Sequence, residues 1–293
     1  MNTVNQCLLT IFLCFMFPFY AFSNIQRQAP KDIDMPPCLY IYNGPGVSPI
    51  SLLQMKESLK EVVDPSYVIK EIGPEEVIKG NWVKDAALYV MPGGADIPYC
   101  KSLSQNGNKV IKEYVNKGGS YLGVCAGAYY ASDNIEFAKG TPLEVIGKRE
   151  LSFFNGCAEG PVLAPYDYAT NSGARLSFIR WRDKGDPDIK KDTMFPAYFN
   201  GGCHFVDAKK VPNVTPLAFY KEPNGKEDKA AIIDIKVGKG RALLSGVHFE
   251  YSPKLMDKDD PFLKKIQAEL FLKDKERIRL FKGVLKRLKI KTI

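Results

Sequence analysis

The sequence contains only two histidines, His204 and His248, among its 293 residues. It also lacks internal repeats, low-complexity segments and any run of turn residues long enough to mark a linker between domains. With 45% hydrophobic and 25% charged residues, the composition is that of an ordinary folded domain. We therefore predict one main globular unit with very few candidates for a general base. No recognisable nucleic-acid-binding motif is present, so nucleic acid is not an expected partner.

One cysteine stands at the corner of a predicted strand-to-helix turn. Residues 118–128 read GGSYLGVCAGA, with Gly123 and Gly127 two residues either side of Cys125. This is the spacing of a nucleophile elbow with cysteine in place of serine, because small neighbours allow a strained turn to expose the sulfur. The helix that follows favours negative charge at its N-terminus. The alternative interpretation is a small buried cysteine on a core strand.

His248 is the candidate partner of this cysteine. It follows the apolar run 241–247, which predicts a strand, and Glu250 comes two residues later. Residues two apart on an extended chain point the same way, so Glu250 can fix the tautomer of an imidazole that faces Cys125. The sequence thus predicts a catalytic triad of Cys125, His248 and Glu250. The alternative is an ordinary strand-end histidine beside a solvated glutamate.

A second glycine-rich turn follows the apolar run 87–91. Gly93 and Gly94 come directly after Pro92 there. A glycine pair at the C-terminal end of a strand lets backbone N–H groups turn toward a developing oxyanion. We predict an oxyanion hole made by Gly93, Gly94 and the N–H of Ala126. The alternative is a plain β-turn.

Together these motifs resemble the class I glutamine amidotransferase-like superfamily, and most closely its branch named after the N-terminal domain of biotin-protein ligase. Four segments carry the resemblance: PGGAD at 92–96, GGSYLGVCAG at 118–127, RELSFF at 149–154 and YFNGG at 198–202. The resemblance covers about residues 38–253 and implies a flavodoxin-like fold. Because only forty residues follow Pro253, we expect no biotin transfer by this chain itself.

Departures from the superfamily pattern bear on the substrate. Tyr129 stands where glutaminase domains have a glutamine four residues after the nucleophile, which argues against glutamine hydrolysis. In the segment 198–202, an aromatic strand followed by an amide and two glycines suits a polar ligand. We therefore predict that Tyr129, Tyr198, Asn200 and Glu150 contribute to substrate binding. The alternative is that each is a turn or surface residue.

The N-terminal segment predicts export. Residues 7–22 form an apolar stretch that is followed by Ser23, with small residues where a signal peptidase would read them. We predict a signal peptide at residues 1–23 and a periplasmic or secreted protein. The stretch is short for a membrane span of about 20 residues. It lacks a preceding lysine or arginine, however, so an uncleaved membrane anchor is the alternative.

Export would leave five cysteines. They are Cys38, Cys100, Cys125, Cys157 and Cys203. In an oxidising compartment an odd number indicates pairs plus one free thiol, so Cys125 is predicted free and the other four allow up to two disulfides in any of three pairings. The alternative is that several are buried thiols. Cys203-His204 has no second spaced pair, so we predict no metal site, and we predict no cofactor.

Strand and helix patterns alternate in the first half of the chain. We predict strands at 39–42, 67–72, 87–91 and 120–124, and helices near 49–61 and 107–116. Such alternation predicts an α/β fold, a parallel sheet with helices on both faces, whose ligands bind at the C-terminal ends of the strands.

The second half has a different character. Short aromatic and β-branched runs between 135 and 231 predict a β-rich insertion packed over the sheet, with strands near 175–182, 195–199 and 215–221. The chain then returns to the sheet through 230–236 and 241–247. The predicted domain covers residues 24–255.

Residues 256–293 are predicted to form a basic helical tail. From Pro261 onward the chain has eleven Lys/Arg and three Asp/Glu, a net charge of +8 that equals the charge of the whole chain. Apolar residues recur at helical spacing from Ile278 to Leu288. We expect this apolar stripe to pack on the domain. The alternative is a basic amphipathic helix that binds an anionic membrane surface or an acidic partner.

The sequence thus favours an exported cysteine hydrolase or acyl-transfer enzyme that acts on an amide, peptide or ester. Its expected partner is a small-molecule or peptide substrate. Two alternatives remain open. One is a non-catalytic ligand-binding module that keeps the fold, and the other is an envelope-associated interaction protein that uses the basic tail.

Overall fold

Apolar strands alternate with helices through the first half of the chain in the computed structural model, which describes residues 35–185, 188–221 and 229–293. Residues Met35–Ile293 form one compact unit. The predicted signal peptide, and with it the predicted domain start at residue 24, lie outside the described residues.

The strands and helices have the following bounds. The strands are β1 (Cys38–Tyr42), β2 (Val68–Ile72), β3 (Ala86–Met91), β4 (Ser120–Val124), β5 (Ser132–Phe137), β6 (Val145–Lys148), β7 (Phe154–Gly160), β8 (Arg175–Trp181), β9 (Met194–Phe199), β10 (His204–Phe205), β11 (Val214–Tyr220), β12 (Ala230–Val237) and β13 (Gly240–Ser245). The helices are α1 (Pro49–Val62), α2 (Pro74–Lys79), α3 (Asp96–Leu103), α4 (Asn106–Asn116), α5 (Ala126–Tyr130), α6 (Pro261–Leu272) and α7 (Asp274–Arg287).

Five parallel strands form the centre of the sheet. Their order is β2-β1-β3-β4-β13, which is the flavodoxin-like strand order. Every residue of β1 and β4 is buried, as expected for parallel strands that helices cover on both faces. The predicted α/β fold is therefore confirmed, and the four predicted strands of the first half end within one residue of the observed bounds. Helices α2 and α3, which are only 6 and 8 residues long, were not predicted.

The β-rich second half is also confirmed, but its position differs from the prediction. Strand β12 runs antiparallel to β13 and also pairs with β10 and β11. Through these pairings the remaining strands continue the same sheet, along β10-β7-β5-β6 on one path and β11-β8-β9 on the other. The insertion therefore extends the sheet by backbone hydrogen bonds instead of packing over it as a separate layer, because an unpaired edge of β12 would leave N–H and C=O groups without partners.

The C-terminal helices pack on this sheet. Helix α7 buries Leu280, Phe281, Val284 and Leu285 in the core that covers one face of the central strands. The apolar stripe of the basic segment is thus an internal surface of the unit. Among the helices of the described ranges, none is both long enough and apolar enough to cross a membrane.

Packing of α7 predicts a stability contrast between two leucines. Leu285 is fully buried, whereas Leu272, at the end of α6, is 83% exposed. We expect Leu285→Ala to lower the free energy of unfolding by about 2–5 kcal/mol through lost burial and the resulting cavity. Leu272→Ala should change it by less than about 0.5 kcal/mol. Urea denaturation of both variants measures the difference, and equal stabilities would contradict the docking of α7.

Candidate functional site

Cys125 occupies the sharp turn between β4 and α5. Its backbone angles, φ 52° and ψ −109°, are unusual for a residue with a side chain. The two flanking glycines allow the turn: a Cβ on Gly123 would lie 2.6 Å from the Gly127 carbonyl oxygen, and one on Gly127 would lie 2.1 Å from the Met91 carbonyl oxygen. The sequence motif therefore forms the strained elbow that its spacing predicts.

His248 lies just beyond β13, beside this elbow. Its Nδ1 is 2.7 Å from Glu250 Oε1, and the two side chains are 3% and 0% exposed. The Cys125 side chain lies close enough to His248 to contribute to its electrostatics, and the Cys125 Sγ donates to the Asn200 carbonyl oxygen at 3.7 Å. Since Nδ1 is engaged by Glu250, Nε2 is the ring nitrogen available to the sulfur. The structure thus brings together all three residues of the predicted triad.

The surroundings of His248 favour its protonated form. Burial lowers the pKa of His248, but the charge of Glu250 and the hydrogen bonds with Cys125 and Glu250 outweigh this effect. The net pKa lies above the usual range for histidine. A protonated imidazole close to a sulfur stabilises negative charge on that sulfur.

Two tyrosines hold the imidazole in place. The rings of Tyr198 and Tyr251 stack with centroids 4.4 Å apart, and the Tyr251 ring packs edge-on against His248 at 4.6 Å. The backbones of Tyr198 and His248 exchange two hydrogen bonds, of 2.8 and 3.1 Å. The imidazole is therefore held by the Tyr251 ring that packs against it and by the main-chain hydrogen bonds of His248 with Tyr198.

A cavity of about 170 Å³ opens beside Cys125. Seven of the predicted site residues line it: Cys125, His248, Gly94, Ala126, Tyr129, Tyr198 and Asn200. Gly93 lies directly behind them, since a Cβ built there would be 2.9 Å from His248 Cε1. The side chains of Tyr129 and Asn200 enter the wall from different elements, so the cavity is shaped by the parallel sheet and the β-rich half together.

Glu150 does not reach this cavity, which corrects its prediction as a binding residue. Its carboxylate accepts hydrogen bonds from the Gln105 backbone N–H at 2.9 Å and from Asn108 Nδ2 at 2.7 Å. These contacts hold it at the N-terminal end of α4 because the first N–H groups of a helix lack intrahelical acceptors.

Several residues of the site were not predicted. Asp96 lines the cavity and pairs with the buried Arg149, whose Nε is 2.5 Å from Asp96 Oδ2. Tyr166, Tyr168 and Asn171 complete the wall. In the sequence, Asp96 was used only as the last residue of the PGGAD motif. Its pairing with Arg149 could have been predicted from an acidic residue after a Gly-Gly turn and an arginine within a second family motif.

The cysteines differ from the predicted pairing. Cys38, Cys100, Cys125, Cys157 and Cys203 are all free thiols. Burial raises the pKa of the Cys203 thiol well above its usual range, which makes this thiol unreactive. Within the described ranges, no group of three or more His, Cys, Asp or Glu side chains is placed to hold a metal ion.

Comparisons with known proteins show which family this chain belongs to. The family model for the N-terminal region of biotin-protein ligase matches residues 38–293. A biotin–protein ligase of Schizosaccharomyces pombe is 36% identical over 255 residues, which are 86% of this chain and 38% of the ligase. An uncharacterized protein of Chlamydia muridarum is 34% identical over 219 residues, 74% of this chain and 81% of that protein. The resemblance inferred from the motifs is confirmed.

A solved structure supports the fold alone. A glutamine amidotransferase from Thermotoga maritima superposes with a TM-score of 0.50 at 15% identity, covering 87% of this chain and 96% of its own. At this identity the likeness shows the shared α/β architecture and carries no activity across.

The matches overturn the predicted function. A cysteine hydrolase or acyl-transfer enzyme is wrong for this chain, because one relative is a biotin–protein ligase and residues 38–293 match that family. The predicted export stays a prediction. The physical reason for the error is that a Cys-His-Glu motif specifies how a thiol is positioned, not which bond it makes or breaks. The chain spans 38% of that ligase's length, so the ligase's whole activity is not shown for it.

The geometry of the site predicts that Cys125 reacts faster than an isolated thiol. We expect His248→Ala to slow alkylation of Cys125 by iodoacetamide roughly tenfold or more, because the protonated imidazole no longer stabilises the sulfur anion. Glu250→Gln, which keeps the shape and removes the charge, should slow it roughly tenfold. Peptide mass spectrometry distinguishes Cys125 from the other cysteines.

The second histidine of the chain supplies the control for this experiment. His204 lies in β10, with Nε2 3.7 Å from Glu159 Oε2. His204→Ala should leave the alkylation rate of Cys125 unchanged. An equal effect of the two histidine substitutions, or none from His248→Ala, would contradict an activated Cys125–His248 pair.

Proposed function

Because this chain belongs to the biotin-protein ligase N-terminal family, we propose that it is a ligand-binding domain acting in protein biotinylation, and that the cavity at Cys125 binds the ring system of biotin. The observation that carries the proposal is the cavity itself, an aromatic site in which the charged side chains of Asp96 and His248 are paired and the buried Asn200 Oδ1 is an unsatisfied hydrogen-bond acceptor. We do not assign biotin transfer to this cavity.

The charge balance of the cavity favours an uncharged group. Two side chains on its wall, Asp96 and His248, can carry a charge at neutral pH. Asp96 is paired with the buried Arg149, and His248 is paired with the buried Glu250. Among the described residues that line the cavity there is no lysine or arginine. A carboxylate ligand would find no free cation there, so the carboxylate of biotin is expected at the mouth and its uncharged bicyclic ring inside.

The walls suit such a ring. Tyr129, Tyr166, Tyr168 and Tyr198 present aromatic surface to the cavity. The hydroxyl of Tyr129 already donates to the Gly201 carbonyl at 3.1 Å, so this residue offers its ring rather than a free polar group. A cavity of about 170 Å³ is smaller than the roughly 300–1,000 Å³ typical of sites for drug-sized ligands. It has room for one compact ring system.

Asn200 supplies the polar anchor. Its Oδ1 is buried and accepts no hydrogen bond from any described residue, whereas its Nδ2 lies 3.4 Å from Asn171 Oδ1. A buried acceptor without a donor is costly, so a ligand N–H that reaches it gains affinity. The urea group of biotin carries two N–H donors and fits this requirement.

Calorimetric titration tests the proposal. We expect biotin to bind the purified chain, and biotin methyl ester to bind with similar affinity because the carboxylate lies at the mouth. Asn200→Leu should weaken biotin binding roughly tenfold or more, since a lost hydrogen bond to a buried acceptor costs about 1–3 kcal/mol. Bound biotin should also protect Cys125 from alkylation.

The control variant is Asn81→Leu, at an exposed position outside the cavity. It should bind biotin as the unmodified chain does. Absence of biotin binding by the unmodified chain, or equal affinities for the Asn200→Leu and Asn81→Leu variants, would reject biotin as the ligand of this cavity.

A further inference from the structure

The segment that carries His248 and Glu250 is buried but has no regular secondary structure. Residues 247–252 follow β13, and each of them is less than a tenth exposed. Apart from His248, whose backbone pairs with that of Tyr198 in β9, the backbone groups of this segment have no strand partner among the described residues and must be satisfied from elsewhere. The position of Glu250 relative to His248 therefore depends on the residues that supply those hydrogen bonds.

Helix α1 supplies three of these backbone hydrogen bonds and one side-chain contact from a single face. Ser58 Oγ donates to the Glu250 carbonyl at 2.5 Å. Gln54 bonds both backbone groups of Ser252, with Nε2 3.2 Å from the carbonyl and Oε1 2.7 Å from the N–H. Ser51 Oγ lies 2.8 Å from the Tyr251 hydroxyl. Residues 51, 54 and 58 fall on one side of a helix, so α1 holds the segment from Glu250 onward.

Another carbonyl of the segment, that of Phe249, is held by a residue of the C-terminal helix. Arg277, in α7, is fully buried and its Nη1 donates to the Phe249 carbonyl at 2.9 Å. Its Nε lies 2.6 Å from Asp274 Oδ1, and its Nη2 lies 3.6 Å from Glu61 Oε2. A buried guanidinium is costly unless it is paired, so Arg277 is bound tightly in one position between α1, α7 and Phe249.

Phe249 lies between His248 and Glu250 in the sequence. Its carbonyl belongs to the peptide plane that leads into Glu250, and its ring packs on Phe281 of α7 with centroids 5.2 Å apart. Rotation of this plane would turn the Glu250 carboxylate away from His248. Both anchors of Phe249, the guanidinium and the ring, come from the same helix.

We propose that Arg277 is a positioning residue for Cys125: by fixing the Phe249 carbonyl it holds Glu250 against His248, so that the reactivity of Cys125 depends on the docking of α7. This inference rests on the geometry of the same site as the proposed function but not on the identity of the ligand. The basic C-terminal segment then serves the site from inside the fold.

A double-variant experiment tests this route. We expect Arg277→Gln to slow alkylation of Cys125 at neutral pH by about the same roughly tenfold factor as Glu250→Gln. If Arg277 acts through Glu250, the double variant should react no more slowly than Glu250→Gln alone, because interacting positions are not additive. The proposal would be overturned if the double variant reacted more slowly than Glu250→Gln alone, with the rate factors of the two single variants multiplied. It would also be overturned if Arg277→Gln left the alkylation rate unchanged.

Three controls separate positioning from general damage. Arg279→Gln, on the exposed side of the same helix, should react at the unmodified rate. Val77→Ala, at a fully buried position of α2, lowers stability away from α7 and, assayed well below its unfolding transition, should also keep that rate. If Arg277→Gln does not fold, Arg277→Lys replaces it. It keeps one donor for the Phe249 carbonyl, so its rate should lie between those of the unmodified chain and Glu250→Gln, and an unmodified rate would overturn the proposal.

The outcome is independent of biotin. Failure of biotin to bind, together with the expected alkylation pattern, would reject the proposed ligand and retain Arg277 as a positioning residue. If biotin binds but the expected alkylation pattern is absent, the role of Arg277 is rejected and biotin is retained as the proposed ligand.

Discussion

The buried contact between His248 and Glu250 is the interaction on which the site depends. Two ionisable groups with almost no exposure are stable in a protein interior only when each is paired and their remaining polar neighbours are satisfied. The 2.7 Å contact meets the first condition. Helix α1, helix α7 and the stacked tyrosines satisfy several neighbouring polar groups of residues 248–252, whereas Glu250 Oε2 is buried without a hydrogen-bond partner among the described residues. The elements around the site are thus arranged to hold one short hydrogen bond.

Much of the fold was predictable because its signals are local. The strand at 120–124 and the turn at Cys125 are encoded by an apolar run followed by small residues within ten positions, and such patterns need no tertiary information. The same holds for Glu250, whose direction follows from its two-residue distance to His248. Glu150, by contrast, was misplaced because its partners Gln105 and Asn108 are more than forty positions away along the chain.

The supporting residues escaped prediction for the same physical reason. Ser51, Gln54 and Ser58 lie on one face of α1, but a polar residue on a buried face has meaning only when its acceptor is known, and the acceptors lie about 200 positions later in the chain. The function was missed for a different reason. A reactive thiol suits binding as well as bond cleavage, and the choice between them is made by the charge and shape of the cavity.

The basic charge of the C-terminal segment shows how composition and structure diverge. Its surplus left a surface for anionic partners as the alternative to packing on the domain. Several of its cations meet acidic residues of the same unit: Arg277 pairs with Glu61, Arg287 with Asp183 and Asp234, and Lys286 with Asp188. These pairs join α7 to α1 and to the β-rich half. Charge that is unbalanced along the sequence is therefore partly balanced in space. Since Arg277 also bonds the segment that carries Glu250, the helix it belongs to is a structural part of the site as much as β4 or β13.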